Sequence, residues 1–535
     1  MDKLLLLGDE AIAQGAIDAG LSGIYAYPGT PSTEITEFVQ KSKEAKEKGI
    51  RSTWSANEKT AYEAALGMSY AGKRSMVCMK HVGLNVAADG FMNSAITGVH
   101  GGMVVVVADD PSMHSSQNEQ DSREYGRFAM IPVLEPANQQ EAYNATHHAF
   151  DLSEKTGLPV MIRLTTRISH SRAGIIRNEI KAQNPLNPYS DGHKFILLPA
   201  NARIQYNKLL EKQEELEQLS AVSDLNRIIE GENKSLGVLA CGIAFNYVME
   251  VRRQHKLDFP ILKIGQYPLP KDKVKQLFTI CDSILVVEEG YPVYEELLRG
   301  FFNEGKNIMG RMDGTLPRTG ELNPDHLAKA LKVDKYYDES PSDIVKNRPP
   351  MLCMGCSHRD VYEALNDVIG SNQKHVFSDI GCYTLGALPP FNAISTCVDM
   401  GASVTMAKGA ADAGLRPSVA VIGDSTFTHS GMTGLLDAVN DKSAITLIIS
   451  DNSTTGMTGG QHSSGEGKYA EICKALGVEP AHIRVLNPLK KHHEDNVAIM
   501  QEEFGYEGVS VIIAQRECIQ TLARKKKTAA KTMSN

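Results

Sequence analysis

The chain has 535 residues, a length that predicts about three domains. Its net charge of -8 and sequence pI of about 6.1 argue against nucleic-acid binding, because a basic field that attracts phosphates is absent. No run of about 18 apolar residues occurs, and the apolar run Leu4–Leu7 is too short for a signal peptide. We therefore expect a cytoplasmic protein without a membrane span, whose nine cysteines are reduced thiols or metal ligands.

Residues 1–180 alternate short apolar strands with amphipathic helices, a pattern typical of an α/β fold with a parallel sheet. The predicted strands are Gly23–Tyr27, Ser75–Met79, Met103–Ala108 and Pro159–Leu164. Residues 181–234 predict a connector that begins with proline-rich sequence and ends in a charged helix containing Glu211 to Arg227.

Residues 235–335 predict a small α/β domain that lacks a complete dinucleotide-binding glycine pattern. Its strands are Leu236–Cys241, Ile261–Ile264 and Ser283–Val287.

Residues 336–524 predict a further α/β domain. Its strands include Val376–Ser378, Ser395–Cys397, Val419–Ile422, Thr446–Ser450 and Val509–Ala514. Residues 525–535, with the basic cluster Arg524 to Lys527, predict a solvated and frayed tail.

Two strand ends in this last domain carry oxygen-bearing side chains. Gly423, Asp424 and Ser425 follow one apolar strand, and Asn452 follows the next. Ligands of open α/β sheets bind at the carboxyl ends of strands, where such oxygens can hold Mg²⁺ together with diphosphate oxygens. Gly423 allows the backbone to approach the phosphates closely. Two unrelated turns rich in Asp and Asn are the alternative.

This pattern resembles the diphosphate-binding motif of thiamine-diphosphate enzymes, in which Gly-Asp ends one strand and Asn follows the next. Its continuation from Thr454 to Gln461 is typical of the 2-oxoacid:ferredoxin oxidoreductases. The resemblance implies that Asp424, Asn452 and the backbone carbonyl of Thr454 are Mg²⁺ ligands. It also implies cofactor contacts at Gly423, Ser425, Gly456 and Met457.

The first segment resembles the pyrimidine-binding domain of the same family. Glu58 begins a helix rich in small residues and matches the family glutamate that hydrogen-bonds the aminopyrimidine ring and so activates the cofactor. A solvated glutamate in a first helical turn is the alternative, and Glu63 is the second candidate. Thr30 matches a threonine that faces the substrate, although the same segment also fits a proline turn with a helix cap.

A 2-oxo acid requires a cation for its carboxylate, and a bidentate arginine is well suited to this role. The resemblance places such an arginine near Arg123, and Arg127 is close enough to take its place. His81 is a further catalytic candidate of the same cleft, as is His114; for both histidines a structural role is the alternative.

Four cysteines form a candidate metal-binding set: the Cys-x-x-Cys pair Cys353 and Cys356, and two single residues at strand ends, Cys382 and Cys518. A set of this kind suits a [4Fe–4S] cluster or zinc. The family has a cluster on this pattern, so the resemblance implies [4Fe–4S]. The other cysteines lie in apolar runs and predict core positions: Cys78, Cys241, Cys281, Cys397 and Cys473.

The resemblance spans nearly the whole chain, as a pyrimidine domain, a transketolase C-terminal-like domain and a diphosphate domain. This order is typical of the indolepyruvate branch. It implies thiamine-dependent oxidative decarboxylation of arylpyruvates such as indolepyruvate to acyl-CoA, with electrons passed to ferredoxin. A non-oxidative thiamine-dependent decarboxylase is the first alternative, because it needs no cluster. A zinc-stabilised scaffold subunit is the second.

The resemblance also implies the partners. They are a small gamma-type (beta) subunit, ferredoxin as the electron acceptor, coenzyme A, the arylpyruvate and a second copy of this chain in a dimer. Relatives in this branch often continue into a ferredoxin-like segment with further cysteines. No cysteine follows Cys518 here, so we expect one cluster in this chain.

Overall fold

The computed structural model describes residues 3–188, 194–301, 305–333, 342, 344–346, 350–372 and 375–533. The chain forms two compact units, Met1–Pro341 and Ser342–Asn535, here called the first and second units. Both are α/β with parallel sheets, which confirms the predicted fold class. The predicted boundary between residues 335 and 336 lies outside the described residues. Among the helices described, none is long and apolar enough to cross a membrane.

The first unit begins with eight strands and eight helices. The strands are β1 (Lys3–Leu7), β2 (Gly23–Ala26), β3 (Arg51–Trp54), β4 (Ser75–Lys80), β5 (Met103–Asp109), β6 (Val133–Leu134), β7 (Val160–Thr165) and β8 (Arg172–Ile176). The helices are α1 (Gly8–Asp18), α2 (Thr33–Lys41), α3 (Lys43–Glu47), α4 (Glu58–Tyr70), α5 (His81–Thr97), α6 (Arg123–Ala129), α7 (Gln139–Thr156) and α8 (Thr166–His170).

The described remainder of the first unit adds five helices and six strands, five of which form a second sheet while one extends the edge of the first. The helices are α9 (Pro199–Ala221), α10 (Ala244–Gln254), α11 (Lys271–Ile280), α12 (Val293–Phe301) and α13 (Pro324–Ala330). The strands are β9 (Arg227–Ile229), β10 (Leu236–Cys241), β11 (Ile261–Ile264), β12 (Gln266–Tyr267), β13 (Ser283–Val287) and β14 (Asn307–Met309).

The large sheet of the first unit has the strand order β12-β6-β7-β5-β4-β2-β3. Its pairs are parallel except β12 with β6. Every residue of β5 is buried, because helices cover both faces of a sheet built by parallel crossovers. The carboxyl ends of β2, β3 and β4 lead to Thr30, Glu58 and His81 respectively, so three predicted site residues follow one edge of the sheet.

The predicted connector helix ends earlier than expected, at Ala221. The sequence from Arg227 to Ile229 instead forms β9, an antiparallel edge strand of the sheet β14-β13-β10-β11-β9. The cause is Asn226, which is buried and whose side-chain oxygen accepts hydrogen bonds from the backbone N–H groups of Gly265 and Gln266 (2.8 and 3.0 Å). This contact fixes the chain beside β11 and excludes a continued helix.

A cluster of buried ion pairs joins the predicted pyrimidine and middle domains into one unit. Its members, called here the ion-pair cluster, are Arg123, Arg163, Asp109, Asp121, Glu135 and Glu288. Arg163 Nε lies 2.6 Å from Asp109, and Arg123 Nη1 lies 2.8 Å from Glu288 of the middle domain. Both guanidinium groups are fully buried. The two guanidinium groups stabilise the charged forms of these four carboxylates in part, and burial still raises the pKa of Glu288 to about 7.

The second unit contains the sheet β15-β16-β17-β19-β18, in which every pair is parallel. The strands are β15 (Val376–Ser378), β16 (Val419–Gly423), β17 (Ile445–Asp451), β18 (Ile483–Leu486) and β19 (Val509–Gln515). The helices are α14 (Ser357–Ile369), α15 (Ala402–Asp412), α16 (Asp424–Thr426), α17 (Met432–Asn440), α18 (Tyr469–Ala475), α19 (His493–Phe504) and α20 (Ile519–Met533). Two apolar clusters cover the sheet's opposite faces.

Three sequence predictions in the second unit are wrong. Ser395–Cys397 is not a strand: the segment runs beside β15, but the Thr396 hydroxyl takes the hydrogen bond of the Ser378 N–H (2.9 Å), which a backbone carbonyl would accept in a ladder. Cys397 is consequently exposed and is not a core residue. The basic cluster from Arg524 to Lys527 is not frayed, because it lies within helix α20.

Arg163→Met should destabilise the first unit by about 3–5 kcal/mol, because it leaves buried carboxylates without their cation. Arg127→Met is the matched control, since Arg127 makes an exposed ion pair with Glu124 and should cost below about 1 kcal/mol. The single tryptophan, Trp54 in β3, reports unfolding of this unit by fluorescence in urea. Equal urea midpoints for the two variants would contradict a stabilising role of the ion-pair cluster.

Candidate active site

Glu58 begins helix α4, and its side chain is almost completely buried, with 5% of its surface exposed. Asn57 caps the helix by accepting a hydrogen bond from the Thr60 N–H (2.9 Å). Gly83 in α5 permits this packing, because a Cβ atom at that position would lie 2.6 Å from Glu58 Oε1. The second candidate, Glu63, instead lies on the exposed face of α4 in an ion pair with Lys59. The buried position therefore favours Glu58 as the functional carboxylate.

Lys80 is a cation that the sequence analysis missed in this region. It ends β4, and its aliphatic chain packs against Gly29, where a Cβ would lie 3.3 Å from Lys80 Cγ. Its ammonium donates to the Ser115 carbonyl (3.1 Å). Burial lowers the pKa of Lys80, and the charges of Asp110 and Glu58 oppose this effect. A polar residue at the carboxyl end of a central strand was the available signal.

Thr30 and His81 flank Lys80 at the same sheet edge. The Thr30 carbonyl accepts a hydrogen bond from the Ser115 hydroxyl (3.3 Å), which ties the Thr30 segment to the loop that also contacts Lys80. His81 is the first residue of α5 and is buried, with Nε2 3.2 Å from the Asn118 carbonyl. The structure therefore brings Thr30, Lys80 and His81 to one end of the first sheet.

Arg123 does not lie where a carboxylate ligand could contact it, which corrects the prediction. Its side chain is fully buried, and its N–H groups donate to Asp121, Glu288 and the Tyr291 carbonyl. Its partner Glu288 is distant in sequence, so no local pattern reveals this structural role. The substitute, Arg127, is exposed and paired with Glu124.

His114 precedes Ser115, which contacts Thr30 and Lys80, but the His114 side chain itself pairs with Glu321. It is half exposed and forms an ion pair with Glu321 across 3.1 Å. This ion pair is a structural role, which was the alternative prediction for His114. His114 is therefore not included in the candidate site.

The predicted magnesium ligands lie together in the second unit. Gly423, at the end of β16, is opposite Ser450 of β17 in a parallel register, so Asp424 and Asn452 emerge at the same edge. One N–H group, that of Thr454, donates both to Asp424 Oδ2 and to Asn452 Oδ1, each at 3.1 Å. The two oxygens that the motif assigns to the metal therefore face one point.

Asp424 is a buried carboxyl group whose charged form is disfavoured by its surroundings. Burial raises its pKa well above the usual range, and the nearby charge of Asp451 raises it further, whereas the backbone N–H groups of Ser425 and Thr454 lower it. A carboxylate with this environment is stabilised strongly by a divalent cation. The oxygen donors present, with the diphosphate of a nucleotide-like or thiamine cofactor, match the octahedral preference of Mg²⁺.

Hydrogen bonds connect the two ends of the loop that follows Asn452, from Thr454 to Gln461. The Thr454 hydroxyl donates to the Gln461 carbonyl (2.9 Å), and Thr455 pairs with Gln461 in an isolated antiparallel bridge. The Thr455 hydroxyl also donates to Ser425 Oγ (2.9 Å), which connects the loop to the Gly-Asp-Ser turn. Gly456 and Met457 lie at the tip of this loop, where Met457 is exposed.

His358 orients Asn452 and was missed by the sequence analysis. The Asn452 amide nitrogen lies 3.2 Å from His358 Nε2. Complete burial lowers the pKa of His358 to about 4, so the ring is neutral and Nε2 accepts the hydrogen bond. This bond turns the Asn452 carbonyl oxygen towards Asp424. His358 lies two residues after Cys356, where the sequence pattern indicated only the cysteines as site residues.

The four candidate cysteines surround one region of the second unit. Burial raises the pKa of Cys382 to about 12, and the charges of Cys356, Cys518 and Cys353 add to this, so all four thiols lie close enough to interact. No three of them bring their sulfur atoms within 4.8 Å of one another, although all four lie in the described chain. Gly355, with φ +79°, makes the turn between Cys353 and Cys356.

The cysteines contact the diphosphate motif directly. The Cys518 N–H donates to the Asn452 carbonyl (3.0 Å). A Cβ atom at Gly456 would lie 3.1 Å from Cys382 Sγ, so the loop tip packs against this thiol. Tyr383, the next residue, lies against Gly423, where a Cβ would be 2.5 Å from its ring. The candidate metal set and the candidate cofactor site thus form one structure. Of the other cysteines, Cys78, Cys241, Cys281 and Cys473 are buried as predicted.

Two parts of the chain match known protein families. Residues 14–217 match the family described as pyruvate flavodoxin/ferredoxin oxidoreductase, thiamine diphosphate-binding. Residues 379–524 match the C-terminal thiamine pyrophosphate (TPP)-binding domain of thiamine pyrophosphate enzymes. The first match contains Thr30, Glu58 and Lys80, and the second contains Cys382, Cys518 and the complete diphosphate motif.

Similar proteins share most of this chain's length. Indolepyruvate oxidoreductase subunit IorA of Methanothermobacter thermautotrophicus is 41% identical over 97% of this chain and 87% of its own. The IorA subunit of Archaeoglobus fulgidus is 38% identical over 100% of this chain and 89% of its own.

Among solved structures, the 2-oxoglutarate:ferredoxin oxidoreductase of Magnetococcus marinus, with 2-oxoglutarate, coenzyme A and succinyl-CoA bound, matches with a TM-score of 0.51. The match covers 62% of this chain and 65% of that chain at 17% identity, and it supports the fold alone. The identity to the curated relatives, sustained over nearly the full length, is what assigns the family. The chain belongs to the indolepyruvate oxidoreductase IorA subunits, thiamine-diphosphate enzymes that oxidise 2-oxo acids.

Proposed function

We propose that this chain catalyses the oxidative decarboxylation of arylpyruvates, such as indolepyruvate, to acyl-CoA and passes the electrons to ferredoxin. The observation that carries the proposal is the joint site of the second unit, in which Cys518 is bonded to Asn452 and Cys382 packs against Gly456. An electron-transfer group beside the cofactor is needed for oxidation of a 2-oxo acid. A purely decarboxylating enzyme has no use for it.

The second unit supplies the cofactor's anchor. Asp424, Asn452 and the Thr454 carbonyl hold Mg²⁺, and the backbone of the Gly423 turn and of the Gly456 loop receives the diphosphate. His358 keeps the Asn452 oxygen turned towards the metal. Bound thiamine diphosphate supplies the electron sink that allows a 2-oxo acid to lose CO₂.

Glu58 supplies the proton chemistry of the first unit. Its buried carboxyl group hydrogen-bonds the aminopyrimidine ring and holds the proton whose position activates the cofactor. Gly83 leaves room for this carboxyl group, because any side chain there would occupy its place. Thr30 and His81 lie at the same sheet edge and contact the substrate.

A [4Fe–4S] cluster fits the cysteines better than zinc does. Zinc binds thiolates at about 2.3 Å in a tetrahedron, which places the sulfur atoms roughly 3.8 Å apart. The four thiols interact electrostatically but are more widely spaced, since no three lie within 4.8 Å of one another in the described chain. A cubane cluster is several ångströms across and needs this wider spacing. The non-oxidative decarboxylase and the zinc scaffold are the competing functions.

The proposed assembly includes other chains. The relatives are named as subunits, which supports a second polypeptide, and we propose a small gamma-type subunit for that role. Glu58 and Asp424 belong to different units of the chain. Thiamine enzymes of this type combine such halves between subunits, so we propose a dimer of this chain with ferredoxin and coenzyme A as reaction partners.

Cys382→Ser and Cys518→Ser should each lose most of the iron and acid-labile sulfide of the protein purified without oxygen. The wild-type chain should contain about four irons. Cys397→Ser is the matched control, because this exposed cysteine of the same unit is outside the set and should leave the iron content unchanged. Zinc in place of iron, or full iron in Cys382→Ser, would exclude the proposed cluster and leave the competing functions.

Glu58→Gln should lower kcat for arylpyruvate oxidation by about 10²–10⁴-fold, because the amide cannot take up or release the proton. The dissociation constant of thiamine diphosphate should change little, since Asp424 and Asn452 still hold the diphosphate. Steady-state rates and calorimetric titration of the cofactor measure these two effects separately. Glu63→Gln, on the exposed face of the same helix, should leave both unchanged. Equal rates for the two variants would refute the assignment.

We further propose that Lys80 binds the substrate carboxylate in place of Arg123. Its ammonium lies beside the Thr30 segment and the Glu58 charge, where a 2-oxo acid would be positioned. Loss of a charge-assisted hydrogen bond of about 1.5–3 kcal/mol predicts that Lys80→Met raises KM by roughly 10–100-fold. Lys80→Arg should restore part of this loss, and Arg127→Met should have no effect. An unchanged KM in Lys80→Met would show that the carboxylate is bound elsewhere.

A further inference from the structure

Three side chains outside the candidate active site meet in the first unit. They are Asp9, at the start of α1, Glu34, in the first turn of α2, and His170, the last residue of α8. One carboxylate oxygen from each acid and one ring nitrogen of the histidine all lie within 4.8 Å of one another. We call this group the Asp9 cluster.

The strand pairing of β1 with β8 creates the Asp9 cluster. The two strands are antiparallel with Leu7 opposite Arg172, so the residues that follow β1 and precede β8 are neighbours in space. Gly8 brings α1 against α8, because a Cβ atom at this position would lie 2.2 Å from the Ile168 carbonyl oxygen. Asp9 and His170 are therefore held together by backbone structure.

Asp9 is the unusual member of the cluster. Its side chain has no exposed surface, and neither carboxylate oxygen has a hydrogen-bond partner among the described residues. Burial raises the pKa of Asp9 well above its usual range; the Ser169 hydroxyl lowers it, and the charges of Glu34 and Glu10 raise it. A buried carboxylate that is neither paired nor hydrogen-bonded is very unfavourable unless a cation or a proton neutralises it.

Glu34 and His170 reach the same point from the surface. Their side chains are 39% and 38% exposed, and His170 Nε2 lies 3.8 Å from Glu34 Oε2. Glu34 Oε2 also has no hydrogen-bond partner in the described part of the chain. The nearby Glu34 carboxylate raises the pKa of His170, and His170 lowers the pKa of Glu34, so a metal ion would have to displace the His170 proton.

We propose that Asp9, Glu34 and His170 bind a first-row divalent cation, Zn²⁺, Mn²⁺ or Fe²⁺, with water in the remaining positions. A donor set of one imidazole nitrogen and two carboxylates suits these ions, whereas Mg²⁺ and Ca²⁺ take oxygen donors. Tetrahedral coordination at about 2.0–2.1 Å places ligand atoms roughly 3.3 Å apart. The exposed Glu34 and His170 side chains reach that spacing by rotation while Asp9 stays in place.

The bound cation would join three elements near the proposed substrate cleft. Helix α2 follows directly after the Thr30 segment, so a metal held by Glu34 fixes the start of α2 against α1 and α8. The Ser115 hydroxyl already ties the Thr30 carbonyl from the other side. The site is therefore a structural clamp on the segment that carries Thr30.

Metal counting on the whole protein tests this assignment. The chain is freed of loosely bound metal, saturated with Mg²⁺ and thiamine diphosphate to fill the site at Asp424, and titrated with Mn²⁺ while free Mn²⁺ is followed by electron paramagnetic resonance. The wild-type chain should bind one further Mn²⁺ that Zn²⁺ displaces, and Asp9→Asn and His170→Gln should each lose it. His493→Gln is the matched control, since His493 makes a surface ion pair with Asp367.

Thermal unfolding separates metal binding from a folding defect. Mn²⁺ should raise Tm of the wild-type chain by a few degrees, through binding to the folded state alone, and should leave Asp9→Asn unchanged. Without added metal, Asp9→Asn should be at least as stable as the wild-type chain, because it removes an unpaired buried carboxylate. Wild-type binding equal to that of Asp9→Asn, or binding retained in His170→Gln, would overturn the proposal and leave a proton on Asp9 as the neutralising group.

Discussion

The buried carboxylate of Asp424 is the constraint on which the second unit depends. Its pKa is raised by burial and by the charge of Asp451, and two backbone N–H groups offset this only in part. A bound cation would stabilise the charged form of Asp424, and the shared Thr454 N–H holds the Asn452 oxygen beside it. Strands β16 and β17 must end in register for this to occur, and Gly423 must lack a side chain because Tyr383 fills that space.

The candidate cysteine site and the candidate cofactor site share this constraint, because both are built around Asn452. Asn452 is bonded through its side chain to His358, which follows the Cys353–Cys356 pair by two residues, and through its carbonyl to the Cys518 N–H. A displacement of the cysteines would therefore move Asn452, the proposed metal ligand, and the converse also holds. Such rigid coupling suits electron transfer, since a group held at a fixed and short distance from the cofactor need not move during oxidation.

The sequence predicted what is encoded locally. Short apolar runs identified most of the parallel strands, because strands buried on both faces need continuous hydrophobic sequence. They missed β3, β6, β14 and β18, which are two-residue or edge strands. Glu58, Asp424 and Asn452 could be proposed from the sequence because they stand beside strand and helix ends. The predictions failed where partners are far apart in the chain: the partner of Arg123 is Glu288, and that of Asn452 is His358. Lys80 was missed because only the folded Thr30 segment shows what lies beside its ammonium.

Cys397 shows a second limit of prediction from sequence. The residues Ser395–Cys397 have strand-like composition, and they do run beside β15, yet the Thr396 hydroxyl takes the place of a ladder carbonyl. Composition predicts where a segment lies in the sheet more readily than which atom completes its hydrogen bonds. One side-chain oxygen was enough to end the strand pattern and leave the Cys397 thiol exposed.

The chain neutralises its buried carboxylates in different ways, and the difference follows function. Asp109 and Asp121 are paired with Arg163 and Arg123, so cations of the protein itself offset part of the cost of burying them. Asp424 has no such arginine among its hydrogen-bond partners in the described chain, and we propose that its motif binds a metal with a diphosphate. Asp9 resembles Asp424 in this respect, because neither of its oxygens has a hydrogen-bond partner among the described residues. Burying a carboxylate without a cation lowers the stability of the folded protein, and at Asp424 the proposed metal ion offsets this cost. A buried and unpartnered carboxylate likewise distinguishes the Asp9 cluster from an ordinary group of surface charges.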